Sequence, residues 1–447
     1  MPKPSVLKCV LCGKEFEPDR APYTCDVCGL DGTLDVLYDY QSIKHSVSCS
    51  ALNQNRERSM WRYRAVLPVV EEASIPDLNV GWTPFYRSGR LARTYGVKEV
   101  YVKDDGRNPT GSLKDRASAV GVAKALDLKA QGTGRPVVAC ASTGNAASSL
   151  AGFAAVAGLK SFIFVPEQAP AAKVTQLLVY GATVVLVKGD YADAFDLATA
   201  AIDKYGWYNR NCAINPYLVE GKKTCAMEIA EQSDWDVPDR VFISVGDGCC
   251  IGGLYKGFRD LKELGLIDRL PKIIGVQAEG AKPIYDAWRL KIEAQGAELV
   301  RPCGAHCAPR DPQAQRAESV RPNRKVVFSK AETLADSISV GSPRNWAKAL
   351  RAVCDTSGDM VAVTDEEILS AIPELARGTG VFGEPAGAAA FAGFRKAASS
   401  GLLGKDERIA VVITGNGLKD IANAQKSVGK AVAVKPDLAD LERHIEI

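Results

Sequence analysis

Histidine is nearly missing from this sequence: His45, His306 and His444 are the only three in 447 residues. With no H-E-x-x-H pair either, the chain is poorly equipped for zinc hydrolysis or a Ser-His-Asp triad, so proton transfer falls to Lys, Asp or Glu. No apolar run approaches the roughly 18 to 20 residues that a membrane span needs. The start, MPKPSVLKCVLCGKE, lacks a signal-type apolar region followed by a small-residue cleavage site, and the expectation is a soluble, cytoplasmic protein. Charge of one sign is also lacking: the net value is +3 at pH 7, too small to argue for nucleic acid or an anionic membrane. No G-x-x-x-x-G-K-[ST] occurs, and the glycine-bearing turns do not complete G-x-G-x-x-G, which removes the main support for nucleoside triphosphates and nicotinamide dinucleotides.

Cysteine, by contrast, is plentiful. Thirteen is an odd number, and in a chain read as cytosolic a disulfide framework is the weaker explanation. Two Cys-x-x-Cys-Gly elements, Cys9 to Cys12 and Cys25 to Cys28, are separated by twelve polar, turn-rich residues. Each can form a knuckle closed by a glycine with positive φ, so that four thiolates meet one tetrahedral ion. Residues 1–40 are therefore read as a zinc-ribbon-like module. Four protein ligands leave no open position, so the metal is structural. A ribbon can also bind nucleic acid, and Arg56, Arg58, Arg62 and Arg64 are available for phosphate contacts. The preferred reading of that cluster is a solvated helix face leading into the core. Cys303 and Cys307 flank His306 in a polar stretch, about 300–325, read as a surface insertion; without a nearby fourth ligand it is not read as a second metal site.

A length of 447 residues exceeds one small domain and suggests a two-part core. From Arg135 onward β-branched runs (PVVACAS, KSFIFVP, ATVVLVKG) alternate with Ala-rich helical ones (NAASSLAGFAAVAG, YADAFDLATAAIDKYG). The pattern resumes with VFISVGDG, CCIGGLYKGFRDLKELG, KIIGVQAEG and IAVVITGNG. These are βαβ units, which require parallel strands covered by helices on both faces, an α/β architecture with open, mostly parallel sheets. Ligands then collect at the carboxyl ends of the strands. Three turns stand there: Ala141-Ser142-Thr143-Gly144-Asn145, Gly246-Asp247-Gly248-Cys249-Cys250, and Thr414-Gly415-Asn416-Gly417. Any one is an ordinary strand-to-helix connection. Three in one chain, each needing small residues for close backbone approach, favour a phosphate-bearing cofactor.

One further segment, NPTGSLKDR, places Lys114 on the first turn of a helix after a tight turn. A solvated lysine is the default for this residue type, but the combination is specific. NPTGSLKDR, CASTGNAA, KVTQLLVYGA, NPYLVEGKKT, SVGDG, VGSPRNW, VTDEEI, GEPAGAAA and TGNGLKD occur in an order and spacing that resemble the fold-type II pyridoxal-phosphate enzymes, and among them the threonine synthases, along nearly the whole chain.

The resemblance implies a two-lobed, tryptophan synthase β-like catalytic body over 41–447. Its smaller lobe would span about 115–215, and its larger lobe about 80–114 with 216–447. It also implies pyridoxal 5'-phosphate as cofactor, an amino acid as substrate and a homodimer; the lack of a long apolar run and the small net charge argue against a membrane or nucleic-acid partner. Lys114 would carry the covalent link to the cofactor, its amine serving as nucleophile and base once its pKa is depressed. Gly246, Asp247, Gly248, Cys249 and Cys250 would cradle the phosphate through backbone N–H groups. Asn145 would bond the ring's phenolic oxygen and Thr414 the pyridine nitrogen. Ser142, Thr143 and Gly144 would hold the substrate's α-carboxylate. The implied reaction is a lyase-type conversion of O-phosphohomoserine and water to threonine and phosphate.

Three positions depart from the family pattern. Ala146 stands where a Thr is common, Ala213 where a Ser is, and Leu218 where an Arg is, so three expected donors to a substrate phosphate are apolar. Lys173, Lys222, Lys223 and Arg210 are the cations available to compensate. The alternative function is therefore β-elimination or β-replacement on another amino acid, of cysteate synthase or hydroxyamino-acid dehydratase type. A nucleic-acid-binding ribbon protein with a vestigial enzyme body is the third reading.

Overall fold

The computed structural model describes residues 4–18, 22–69, 71–132, 137–169, 171–212, 214–294, 327 and 330–444. The insertion with Cys303, His306 and Cys307, and position Ala213, lie outside the described residues.

The strands, in chain order, are β1 Val6–Cys9, β2 Glu15–Phe16, β3 Leu34–Leu37, β4 Phe85–Arg87, β5 Glu99–Asp104, β6 Val137–Ala141, β7 Lys160–Pro166, β8 Thr183–Val187, β9 Tyr208–Asn209, β10 Arg240–Ser244, β11 Lys272–Ala278, β12 Asp359–Val363 and β13 Arg408–Ile413. They form three sheets, ordered β2-β1-β3, β8-β7-β6-β9 and β12-β11-β10-β13-β5-β4. The first is antiparallel, pairing Lys8 with Glu15 and Cys9 with Leu34. The second is parallel throughout. The third is parallel except for its edge strand β4. Its central strands are apolar on both faces, Ile409 to Ile413 being buried without alternation, as helical cover on both sides requires.

The small amino-terminal sheet is not a separate bead. Leu7, Cys9, Leu34 and Val36 are buried in the same apolar cluster as Ile251, Leu254 and Phe258 of the large body. Of the arginines past the ribbon, Arg56, Arg58 and Arg64 are exposed, as a solvated face requires, and Arg62 is not. The segment Met60–Val66 is a 3-10 turn kinked at Tyr63, and Arg62 lies buried in an ion pair with Glu231 at 2.5 Å. Its Nη2 also donates to the carbonyl of Leu52 at 2.6 Å. Arg62 is thus consumed inside the fold, because its long stem follows Trp61 and Tyr63 into the core.

One helix, Tyr217–Gln232, runs through the middle and is buried along nearly its whole length. Glycines let its neighbours approach. A Cβ at Gly221 would lie 1.9 Å from the Arg116 carbonyl oxygen, and one at Gly257, in the helix Cys249–Glu263, would lie 2.2 Å from that of Lys223. Charges at this crossing are matched: Lys103 pairs with Glu228 at 2.6 Å, Arg116 with Asp105 at 2.7 Å, and Lys223 with Asp260 at 2.6 Å. Removing one partner of such a pair would strand a buried charge, so the network fixes the helix's rotation. No helix among the described residues is long and apolar enough to cross a membrane.

Candidate active site

The strands of the large sheet present their carboxyl ends together, and the turns that leave them are bonded to one another. Leu113 N–H donates to the Thr414 carbonyl at 2.9 Å, and Asn416 N–H to that of Gly111 at 2.9 Å, tying the turn before Lys114 to the turn after β13. Glu384 N–H donates to the Gly415 carbonyl at 3.0 Å. Thr414 Oγ1 lies 3.5 Å from Ser244 Oγ at the end of β10, which leads into Gly246. From the other sheet, β6 ends at Ala141 and passes through Ser142, Thr143 and Gly144 into the helix Asn145–Val156. Asn145 Nδ2 donates to Glu384 Oε1 at 2.7 Å and to Ser337 Oγ at 3.4 Å. The three turns and Lys114 thus gather around one cleft, lined on one side by Thr143, Gly144, Asn145, Lys173, Glu384 and Lys419.

Lys114 opens the helix Lys114–Ala130, and its Nζ donates to Cys250 Sγ at 3.3 Å. Burial pushes its pKa down, but the thiols of Cys250 and Cys212 outweigh that and raise it above the ordinary lysine value. The depressed amine expected from sequence is therefore not what this arrangement holds: the sulfurs of Cys250 and Cys212 outweigh the neighbouring Lys222 cation, which pushes the other way. Gly248 takes φ +92, and a Cβ there would lie 2.5 Å from the Asn345 carbonyl. The side chain of Asp247 accepts from Arg344 N–H at 2.7 Å, from Cys249 Sγ at 3.1 Å and from Asn345 Nδ2 at 3.4 Å. Its carboxylate holds the loop in place. Gly248 provides no side-chain cap to the helix Cys249–Glu263, and Gly144 none to the helix Asn145–Val156.

Four further groups in the cleft carried no role in the sequence reading. Glu384 is pushed up to about 7 by burial, against the pull of Lys419, Lys114 and Asn145. Lys419 is lowered by burial and donates to the Thr110 carbonyl at 2.8 Å and Ser148 Oγ at 3.1 Å. Cys212, although burial raises it, is lowered to about 7 by the cations of Arg210, Lys222 and Lys114. Ser118 Oγ accepts from Arg210 Nη2 at 2.9 Å and so orients that guanidinium. Glu384 had a signal, since an acid directly before the Pro385 that opens an Ala-rich buried helix is out of place unless used. Of the compensating cations, Lys173 is spent on Asp336 and Lys223 on Glu220 and Asp260, whereas Arg210 and Lys222 remain in the site.

At the amino terminus the sulfurs of Cys9, Cys12, Cys25 and Cys28 all lie within 4.8 Å of one another, Cys12 and Cys25 at 3.7 Å. A tetrahedral ion with Zn–S bonds of about 2.3 Å needs sulfur separations of about 3.8 Å, close to that of the Cys12–Cys25 pair. Gly13 and Gly29 take φ +75 and +62, and each donates its N–H back to the first cysteine of its pair, at 3.1 and 2.9 Å. The cluster is linked to the large body through the helix Trp346–Asp355: Lys348 Nζ donates to the Leu34 carbonyl at 2.6 Å and Arg351 to Asp35 at 2.8 Å. That helix begins directly after Asn345, the residue that braces Asp247.

The comparisons with known proteins agree with this geometry. The family described as pyridoxal-phosphate dependent enzyme matches residues 77–415. A threonine synthase of Methanocaldococcus jannaschii is 41% identical over 437 residues, covering 98% of each chain. One of Methanosarcina acetivorans is 42% identical over 415 residues, 93% of this chain and 92% of that one. Among solved structures, a processed threonine deaminase isoform 2 from Solanum lycopersicum superimposes with a TM-score of 0.60 at 20% identity, covering 91% of this chain and 95% of that one. A diaminopropionate ammonia lyase from Escherichia coli does so with 0.59 at 18% identity, covering 77% and 87%, and at these identities both speak for the fold alone.

Proposed function

Because the chain belongs to the threonine synthase family of pyridoxal-phosphate-dependent enzymes, we propose that it converts O-phosphohomoserine and water to threonine and phosphate, with Lys114 as its catalytic lysine. The observation that carries this reading is the bonding of the Lys114 turn to the Thr414 turn, facing Asn145 across the cleft.

Pyridoxal phosphate fits the residues present. Gly246 and Gly248 have no free room for a Cβ, which keeps the turn tight, and among the described residues the buried Lys222 ammonium has no hydrogen-bond partner. When bound, the cofactor supplies the electron sink that lets protons leave carbon. Lys114 is the group that anchors it and then moves protons at the substrate's Cα and beyond, a single amine serving as both base and acid. Ser142, Thr143 and Gly144, at an uncapped helix start, bind the α-carboxylate. Asn145 positions the ring oxygen and is itself held by Glu384. Thr414 presents a hydroxyl to the ring nitrogen; unlike a carboxylate it does not stabilise a protonated ring, which suits elimination and replacement rather than transamination. Backbone N–H groups of Gly246, Asp247, Gly248, Cys249 and Cys250 receive the cofactor's phosphate.

A second reading, the same cofactor chemistry on a different amino acid, is favoured by Leu218. It is fully buried, with its Cδ2 2.8 Å from where a Cβ of Gly121 would stand, so it lends nothing to a substrate phosphate. Incubation with O-phosphohomoserine separates the two. Equal amounts of threonine and phosphate support the first reading. Neither product, with another amino acid perturbing the cofactor's absorbance, supports the second. A structural zinc on Cys9, Cys12, Cys25 and Cys28, a homodimer and a cytoplasmic location complete the proposal, and light scattering tests the dimer.

A further inference from the structure

Buried cations in this protein are almost all answered by carboxylates. Arg62, Lys103, Arg116, Lys223, Lys256 and Lys348 each have an Asp or Glu oxygen within 3.1 Å. Among the described residues two buried cations do not. Arg210, 1% exposed, bonds Ser118 Oγ, Cys212 Sγ and the Lys114 carbonyl, and Lys222, also 1% exposed, bonds nothing. Both lie in one place. The charges that act most on Lys222 are those of Cys212, Cys249, Cys250 and Arg210, and close passage of Gly253, whose Cβ would stand 2.8 Å from that of Lys222, sets it beside the start of the helix Cys249–Glu263. Lys114 is the third cation of the group. An unpaired buried ammonium is costly, and a cluster of three, with thiols as its only acidic neighbours in direct contact, is unbalanced without an anion.

We propose that Lys222 and Arg210 form an oxyanion subsite that takes a phosphate-class group beside Lys114, a charged contact in addition to the backbone of the Gly246 to Cys250 turn. The inference rests on the reading of the cleft as a cofactor and substrate site. The phosphate has two possible sources, the cofactor and the substrate's leaving group, and the chemistry of recognition is the same for both. It also accounts for how this chain dispenses with donors at Ala146 and Leu218: positive charge is supplied by Arg210 and by Lys222, one turn beyond Leu218 on the same helix.

The test uses Lys222→Met, which keeps the apolar stem, with Lys222→Arg as the charge-restoring control, and binding rather than turnover as readout. Cofactor-stripped protein is titrated with pyridoxal 5'-phosphate and with pyridoxal, and the holoenzyme with inorganic phosphate, following cofactor absorbance and fluorescence. A loss of about tenfold or more for pyridoxal 5'-phosphate but not pyridoxal in Lys222→Met, recovered in Lys222→Arg, supports the subsite with the cofactor as its source. Unchanged cofactor affinity with loss of the response to inorganic phosphate supports it with the substrate as source. Unchanged titrations in all three experiments overturn it. Failure of the catalytic reading shows separately, as a borohydride-stable cofactor adduct on a lysine other than Lys114.

Discussion

Asn145 Nδ2 donates to Glu384 Oε1 at 2.7 Å, joining the first residue of a helix over one sheet to the last residue before a helix over the other. The bond spans the cleft and couples the proposed ring-oxygen donor to a buried acid. Burial pushes Glu384 up to about 7 from an ordinary 4.5. Between those values the folded chain binds more protons than the unfolded one, so stability falls as pH rises through that window.

Glu384→Gln removes that dependence. Cofactor-free wild-type protein is expected to lose about 2–3 kcal/mol between pH 5 and pH 8 that the variant keeps, as read by urea denaturation across the range. Parallel pH profiles for the two proteins would show that Glu384 does not titrate there.

Lys114→Ala is expected to lower threonine formation by about three orders of magnitude or more while leaving the fold intact, since the residue contributes an amine and no core contact that alanine cannot replace. Borohydride reduction followed by peptide mapping should find the cofactor's mass on the peptide containing Lys114 in wild type and nowhere in the variant.

Metal analysis of the intact chain should give about one zinc, and replacing Cys9 and Cys28 by serine should remove it. Because Cys9, Leu34 and Val36 share a core with Phe258, the loss should lower the melting temperature of the large body as well, on the order of 5 °C. A metal-free variant that melts like wild type would mean the ribbon is energetically separate.

Gly221→Ala forces a methyl to within 1.9 Å of the Arg116 carbonyl oxygen. Backbone cannot yield as a flexible side chain does, so about 3 kcal/mol or more of destabilisation is expected by chemical denaturation. Wild-type stability would refute so close a helix crossing.

Some of this protein could be read directly from residue order. Cys9, Cys12, Cys25 and Cys28 announce their cluster because knuckle spacing and the following glycines are local requirements. Ser142 to Asn145, Gly246 to Cys250 and Thr414 to Gly417 are legible as strand-end turns for the same reason: a chain turning tightly out of a strand end tolerates few residue types. Alternating apolar runs identified parallel sheets because strands buried on both faces have no polar side to show.

Lys222 and Lys223 mark where that legibility ended. They are adjacent in sequence and identical in chemistry, and a helix turns them about 100° apart. Lys223 thereby meets Glu220 and Asp260, and Lys222 meets Cys212, Cys249 and Cys250. Neither that division of labour, nor the raised proton affinity of Glu384, nor the burial of Arg62 is a property of local sequence. Each depends on which distant groups packing brings near and how much water it removes, so only the tertiary structure decided them.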